Sequence, residues 1–228
     1  MAASTVILAG TVTDPPYFDL MRTNVPFLRF YLAVPRPTAG QDHIRVVAYG
    51  KLAEAIYPRL APGVGVALTG HLQTRPLPKF GSYLVMEVVA ERASLLPPDG
   101  KIRPVNLVSL AGPVTSPPWF GFIGNEQRPV LRIFVAVPPH KEEQGDHHIR
   151  VVAYDRVALE AYAYLRPGAE IAVSGRLQVR PLPKAAENGG PRSLMEVMAE
   201  QIIFVANVDW ETGDKALAQL RRMEGAGG

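Results

Sequence analysis

The sequence predicts an all-β chain of two tandem five-stranded Greek-key barrels, each with one short helix. Three observations carry that expectation. The chain of 228 residues repeats itself, and HIRVVAY stands at 43–49 and again, letter for letter, at 148–154. Within each copy, short β-rich runs alternate with turn residues, and 22 prolines with 20 glycines are more than a helical protein tolerates. Finally, one stretch of helical spacing falls between the third and fourth strand-like runs of the first copy.

The repeat is settled by several blocks in one order. LAGTVTDPPYF at 8–18 matches LAGPVTSPPWF at 110–120, and FLRFYLAVP at 27–35 matches VLRIFVAVP at 130–138. PGVGVALTGHLQTRPLPK at 62–79 matches PGAEIAVSGRLQVRPLPK at 167–184 with 11 of 18 residues identical, and MEVVAE at 86–91 matches MEVMAE at 195–200. Self-similarity at a nearly fixed period marks a repeated structural unit. The offset changes only between these blocks, in stretches rich in Pro, Gly and charge, where insertions lengthen loops and spare the framework. The reading is a first domain over 1–98, a linker over 99–104 introduced by Pro97-Pro98, and a second domain over 105–207. An extension over 208–228 follows, helical in composition at 216–223.

Each element of the first copy follows from pattern. Residues 5–13 and 27–34 are β-rich, and 43–49 alternates and is rich in Val. Leu52, Ala55, Ile56 and Leu60 recur at helical spacing, and Pro62-Gly63 stops the helix. Residues 64–75 and 83–96 complete five strands. Five strands with one helix between the third and fourth is the order of an OB-fold, a small barrel widely used for oligonucleotides.

Composition removes several functions. There is no cysteine, so disulfides, thiolate metal sites and cysteine nucleophiles are excluded, which suits a cytoplasmic chain. No apolar run approaches a membrane span, and the start MAASTVILAG does not read as a signal peptide. His147 and His148 are adjacent in a strand and point to opposite faces, a poor metal site. Glu87 and Glu196 lie in the last strands without a second carboxylate at a matching position, so no acid–base pair is formed. No enzyme activity, cofactor or metal is expected. The formal charge is +3 with no polybasic tail, so affinity for nucleic acid would have to come from locally placed arginines and from stacking.

Strand parity offers such a placement. In HIRVVAY, Ile44, Val46 and Ala48 belong in the barrel, and His43, Arg45, Val47 and Tyr49 form the outer line. Residues i and i+2 sit about 6.5–7 Å apart on a strand, so a ring and a phosphate-binding cation can serve successive nucleotides. The second strand repeats the division: Arg29, Tyr31 and Ala33 lie outward against Phe30, Leu32 and Val34, as do Arg132, Phe134 and Ala136 in the second copy. The fourth strand presents His71, Gln73, Arg75 and Leu77, with Arg176, Gln178, Arg180 and Leu182 in the second. Arginine both neutralises phosphate and stacks on a base. A plainer reading also fits the outer line: Tyr49 packs under the following helix and Arg45 is a solvated edge charge. Trp119, Phe120 and Phe122 could stack a base or form a buried contact between chains.

These residues carry a resemblance. IRVVAYGKLAEAIYPRLAPGVGVALTGHLQTR, followed by MEVVAERASLL, resembles the bacterial single-stranded DNA-binding protein family, as do VILAGTVTDPP and FLRFYLAV. The resemblance covers 4–96 and, through the internal repeat, 107–205. It implies a sequence-tolerant binder of single-stranded DNA serving replication, recombination and repair. It also implies a homodimer presenting four OB-folds, and possible replication or repair protein partners. Carried over by position, Tyr49 and Tyr154 match a stacking aromatic, His43 and His148 fall where some relatives have a stacking tryptophan, and Arg45 and Arg150 match an arginine on the DNA side. The predicted binding set is Arg29, Tyr31, His43, Arg45, Tyr49, Lys51, Gln73, Arg75 and Lys79 in the first copy. In the second it is Trp119, Arg132, Phe134, His148, Arg150, Tyr154, Arg176, Gln178, Arg180 and Lys184. Three departures stand out. Leu77 and Leu182 occupy the place of a family tryptophan, Gly-Lys-Leu-Ala-Glu becomes Asp155-Arg156-Val157-Ala158-Leu159, and the chain ends RRMEGAGG without the family's acidic tail. Those departures support an alternative, an OB-fold assembly module of primosomal type with weak DNA or RNA binding.

Overall fold

The computed structural model describes residues 4–76, 84–96, 102–139, 145–182 and 192–225. The first repeat contains β1 (Ser4–Val12), β2 (Tyr17–Leu20), β3 (Pro26–Pro35), β4 (Gln41–Tyr49), helix α1 (Gly50–Ile56), a 3₁₀ turn (Tyr57–Arg59), β5 (Gly65–Pro76) and β6 (Leu84–Leu95). The second contains β7 (Val105–Pro113), β8 (Trp119–Ile123), β9 (Arg128–Val137), β10 (His147–Tyr154), α2 (Asp155–Tyr164), β11 (Glu170–Pro181) and β12 (Ser193–Ala206). Helix α3 (Trp210–Gly225) follows. Pairing runs β2-β3-β4-β6-β5-β1 in the first repeat, and β1 closes back on β3 through Thr11↔Ala33 and Val12↔Leu32. The second repeat runs β7-β11-β12-β10-β9-β8, and a Val114↔Val135 bridge stands in the corresponding place. The chain therefore folds as two OB-type barrels in tandem.

By compactness the residues divide into two units, one of Ala2–Val108 with Leu177–Glu196, the other of Ser109–Arg176 with Val197–Gly228.

Parity puts the expected residues inside. Phe30, Leu32, Val34, Ile44, Val46, Ala48 and Leu72 are all buried, as are Ile133, Val135, Val137, Ile149, Val151, Ala153 and Leu177. Val47 differs from the sequence reading: it belongs to the outer set yet is fully buried. It stands between the long side chains of Arg45 and Tyr49 on its own strand and faces Arg29 across the β3–β4 ladder, so its neighbours cover it.

Two further differences have local causes. The short strands β2 and β8 have no signal in the sequence, because four or five residues beside a Pro-Pro pair are too few to show alternation. The terminal helix is 16 residues long rather than the segment expected at 216–223. Asp209 accepts a hydrogen bond from the Thr212 amide at 3.1 Å, Lys215 pairs with Glu211 at 2.7 Å, and the Tyr164 hydroxyl donates to Asp214 at 2.6 Å. Capping and packing on α2 thus extend the helix beyond what its composition suggests. Among the described residues, no helix is long and apolar enough to cross a membrane.

Candidate nucleic-acid interface

In the first repeat, outward residues of β4 and β5 form one connected polar network. Its centre is Glu87 on β6, which is only 1% exposed. Gln73 donates to its carboxylate at 2.8 Å and Arg75 Nε at 3.2 Å. Arg45 Nε lies 2.9 Å from the other carboxylate oxygen. Gln73 also donates to the Tyr49 hydroxyl at 3.1 Å, so the carboxylate reaches the tyrosine through one amide. A buried carboxylate must be paired and hydrogen-bonded to be tolerated. Here two guanidinia face one carboxylate, which leaves net positive charge, and it emerges at Arg75, 40% exposed against 17% for Arg45. Burial draws the Arg45 pKa down, and burial pushes the Tyr49 hydroxyl up.

Rings adjoin this network. Phe27, opposite Tyr49 in the β3–β4 ladder, places its ring 5.6 Å from that of Tyr49. Tyr17 on β2 lies 6.4 Å beyond Phe27, with the Arg29 guanidinium 4.8 Å over its ring. Tyr17 donates to Asp19 at 2.6 Å, and this hydrogen bond raises the phenol pKa and lowers that of the carboxyl. Tyr17, Phe27 and Tyr49 make a three-ring line across β2, β3 and β4, with steps comparable to those of an extended nucleotide strand.

The second repeat carries its matching residues in two groups. Glu196, also 1% exposed, accepts from Gln178 at 3.0 Å and lies 3.4 Å from Arg180. Arg132 stands 4.5 Å over the Trp119 ring. That indole passes close to Gly121, where a Cβ would come within 2.9 Å of it. Arg150 lies 5.8 Å from the Phe134 ring, and Arg128 covers Tyr154 at 4.6 Å. Trp119 is 48% exposed. Phe120 points the other way and stacks on Tyr162 of α2 at 4.4 Å, as Phe18 stacks on Tyr57 at 4.5 Å. Phe120 therefore packs within its own barrel.

Of the residues singled out from sequence, Arg45, Tyr49, Gln73 and Arg75 are joined by Glu87, and Gln178 and Arg180 meet at Glu196. Tyr31 sits opposite Arg45 on the β3–β4 ladder. His43 contacts Gln41 at 3.1 Å and His148 contacts Thr115 at 3.4 Å. Arg176 lies against Met198 sulfur at 3.3 Å and 4.0 Å from Glu200. Lys51 is exposed in the first turn of α1, outside the network. Lys79, Lys184 and Leu77 lie outside the described residues. Sequence reasoning missed Tyr17, Phe27, Glu87, Glu196, Arg128 and Asp155. A signal existed for the two glutamates: each sits inside an apolar strand at the same place in both copies. Among the described residues, no three metal-ligating side chains come together.

A model of the single-strand binding protein family matches residues 3–96 and 105–205. The chain belongs to the single-strand binding protein family. Membership extends to both repeats, the second included, although its helix start departs from the family pattern. A single-stranded DNA-binding protein of Caldanaerobacter subterraneus subsp. tengcongensis is 37% identical over 101 residues, which are 41% of this chain and 67% of that one. The crystal structure of the wild-type single-stranded DNA binding protein from Thermus aquaticus superposes with a TM-score of 0.73 at 25% identity, covering 90% of this chain and 94% of that one. A deletion variant of the Thermus protein gives a TM-score of 0.72 over 90% of this chain, at the same identity.

Proposed function

We propose that this protein binds single-stranded DNA without sequence preference, on the faces centred on Tyr49 and Tyr154, and acts without catalysis. The observation that carries this reading is the three-ring line Tyr17, Phe27 and Tyr49, edged by Arg29 and Arg75 and braced by buried Glu87. Every base has a π-face, so rings bind strands irrespective of sequence, and arginines track the phosphates. By this reading Arg75, Arg29 and Arg132 meet phosphate directly, and Arg45 works from behind as a partner of Glu87. The biological role is to hold and protect single strands in the cytoplasm during replication, recombination and repair. Two chains assemble so that four barrels act together, and further replication or repair proteins join them. The relatives' names support the DNA-binding point, and the four-barrel assembly is what the resemblance to the family implies.

Titration with oligo-dT and oligo-U of several lengths at two salt concentrations tests the reading. Tight dT binding that weakens as salt rises is expected, through displaced counterions. The double variant Tyr49→Ala/Tyr154→Ala should lose affinity by about 1–3 kcal/mol for each ring. Light scattering on the same samples should give twice 24.8 kDa. Undiminished binding by the variant would sink the stacking assignment. Binding to neither polymer would favour the assembly-module reading, which Leu77 and Leu182 in the place of a family tryptophan support.

A further inference from the structure

Around the two tyrosines the repeats differ at three positions that converge on one spot. Tyr49 has Phe27 across the ladder and is followed by Gly50; Tyr154 has Val130 across the ladder and is followed by Asp155. The matched blocks FLRFYLAVP and VLRIFVAVP align Arg128 with Val25. The ring beside Tyr49 is thus replaced, beside Tyr154, by a guanidinium and a carboxylate. They are joined in a two-point pair: Arg128 Nε donates to Asp155 at 2.8 Å and Nη2 at 2.6 Å. The guanidinium carbon then lies 4.6 Å from the centroid of the Tyr154 ring.

Asp155 keeps the backbone of its counterpart: its φ is +53°, matching +56° at Gly50, a left-handed region that glycine suits best and that aspartate enters more readily than most residues with a Cβ. What the position gains from an aspartate is the carboxylate, and the carboxylate is fully engaged with Arg128. That hydrogen bond raises the arginine pKa and depresses the carboxyl pKa.

We propose that Arg128 and Asp155 form a latch over Tyr154, which makes the second barrel the conditional one of two binding stations. The proposal rests on the reading of the two tyrosines as base platforms. The guanidinium covers one face of the Tyr154 ring, as Arg29 does at Tyr17, but here a carboxylate holds it there. Asp155 takes the Nε and Nη2 donors, the two-point edge that a phosphate would otherwise use. The latch is openable, because the side chains are 50% and 56% exposed. A pair so placed is weak, and a phosphate is an equivalent bidentate partner for arginine. A strand engages Tyr49 first and reaches Tyr154 by displacing Asp155 from Arg128.

The test uses the full-length chain with Tyr49→Ala as parent, so that the second barrel dominates. Into it go Asp155→Asn and, separately, Asp155→Gly, the residue this backbone favours, which keeps the fold if asparagine does not. Fluorescein-labelled oligo-dT is titrated into each at one low salt concentration, beside the wild type. Both variants should bind about threefold tighter than the parent, the scale of an exposed ion pair. Equal or weaker binding would overturn the latch; weaker binding would make Asp155 a group that presents Arg128 to the strand. A wild type that does not bind dT at all would instead overturn the stacking reading on which the latch rests.

Discussion

At the scale of single residues, Glu87 decides what the arginines around it can do. An arginine on an outward strand position appears available to phosphate, but Arg45 is 17% exposed and faces a buried carboxylate at 2.9 Å. The same carboxylate fixes Gln73, and Gln73 fixes the Tyr49 hydroxyl. Replacing Glu87 by Gln keeps the shape, removes the charge and leaves a buried guanidinium without its counterion. Breaking a buried pair in this way costs about 3–5 kcal/mol. The freed arginine turns toward solvent and becomes a phosphate partner. Glu87→Gln should therefore lower stability by about 3 kcal/mol and steepen the salt dependence of DNA binding by about 0.7 in log–log slope, one further phosphate on a single strand. Urea unfolding and a salt series of titrations measure the two effects. A variant as stable as the wild type would show that Glu87 is not the brace.

At the scale of elements, the strands and their inward faces were legible because alternation and the internal repeat report the same thing twice. The barrel needs Ile44, Val46 and Ala48 inside, and their period of two is visible in any strand of that length. The site was only half legible. Tyr49 and Arg45 stand in the repeated heptamer, and Glu87 stands out inside an apolar strand, but only its pairing opposite Gln73 shows what it holds. Arg128 and Asp155 are 27 positions apart, and nothing in either local pattern links them. Gly70 and Gly175 recur at the same place in the two repeats, and the structure supplies their reason. At the Thr69/Gly70 register shift β5 leaves its regular pairing with β6, and a Cβ on Gly70 would stand 1.9 Å from the Val89 carbonyl oxygen. Gly175 meets the Met198 oxygen at 2.0 Å in the same way. Neither carbonyl is the end of a flexible side chain, so the strands must separate. Gly70→Ala and Gly175→Ala should each lose about 3 kcal/mol in urea unfolding. Thr69→Ala, one residue away and exposed, should stay within about 0.5 kcal/mol of the wild type. Equal stability of all three variants would remove the close-approach argument.

At the scale of the whole molecule, charge sets the acid limit of stability. A formal charge of +3 means that attraction to DNA comes from arginine placement, and the 21 Asp and Glu residues nearly balance the 24 Lys and Arg only while they are ionised. Hydrogen bonds hold Asp19, Asp155 and Asp209 below 3.8, their ordinary value: from Tyr17, from Arg128 and from Thr212 respectively. The folded state therefore binds protons at these groups later than the unfolded chain does. Between the ordinary carboxylate value and the lower folded one, the unfolded chain holds more protons, so stability rises with pH there. Their contribution is complete above the ordinary value and is lost as pH falls through the folded value. Each contribution is small, because these side chains lie in solvent. Self-repulsion adds to the loss: as carboxylates are neutralised, the 24 Lys and Arg residues keep their charge. Melting temperature should stay level from about pH 5 to 8 and fall steeply below about pH 4. In Asp155→Asn the fall should be shallower, because one of the depressed carboxyls is gone. Thermal melts followed by far-ultraviolet circular dichroism at half-unit pH steps measure this. A melting temperature that holds from pH 5 to pH 3 would mean that these carboxylates titrate alike in the folded and unfolded chain, and their hydrogen bonds would then carry no linked stability.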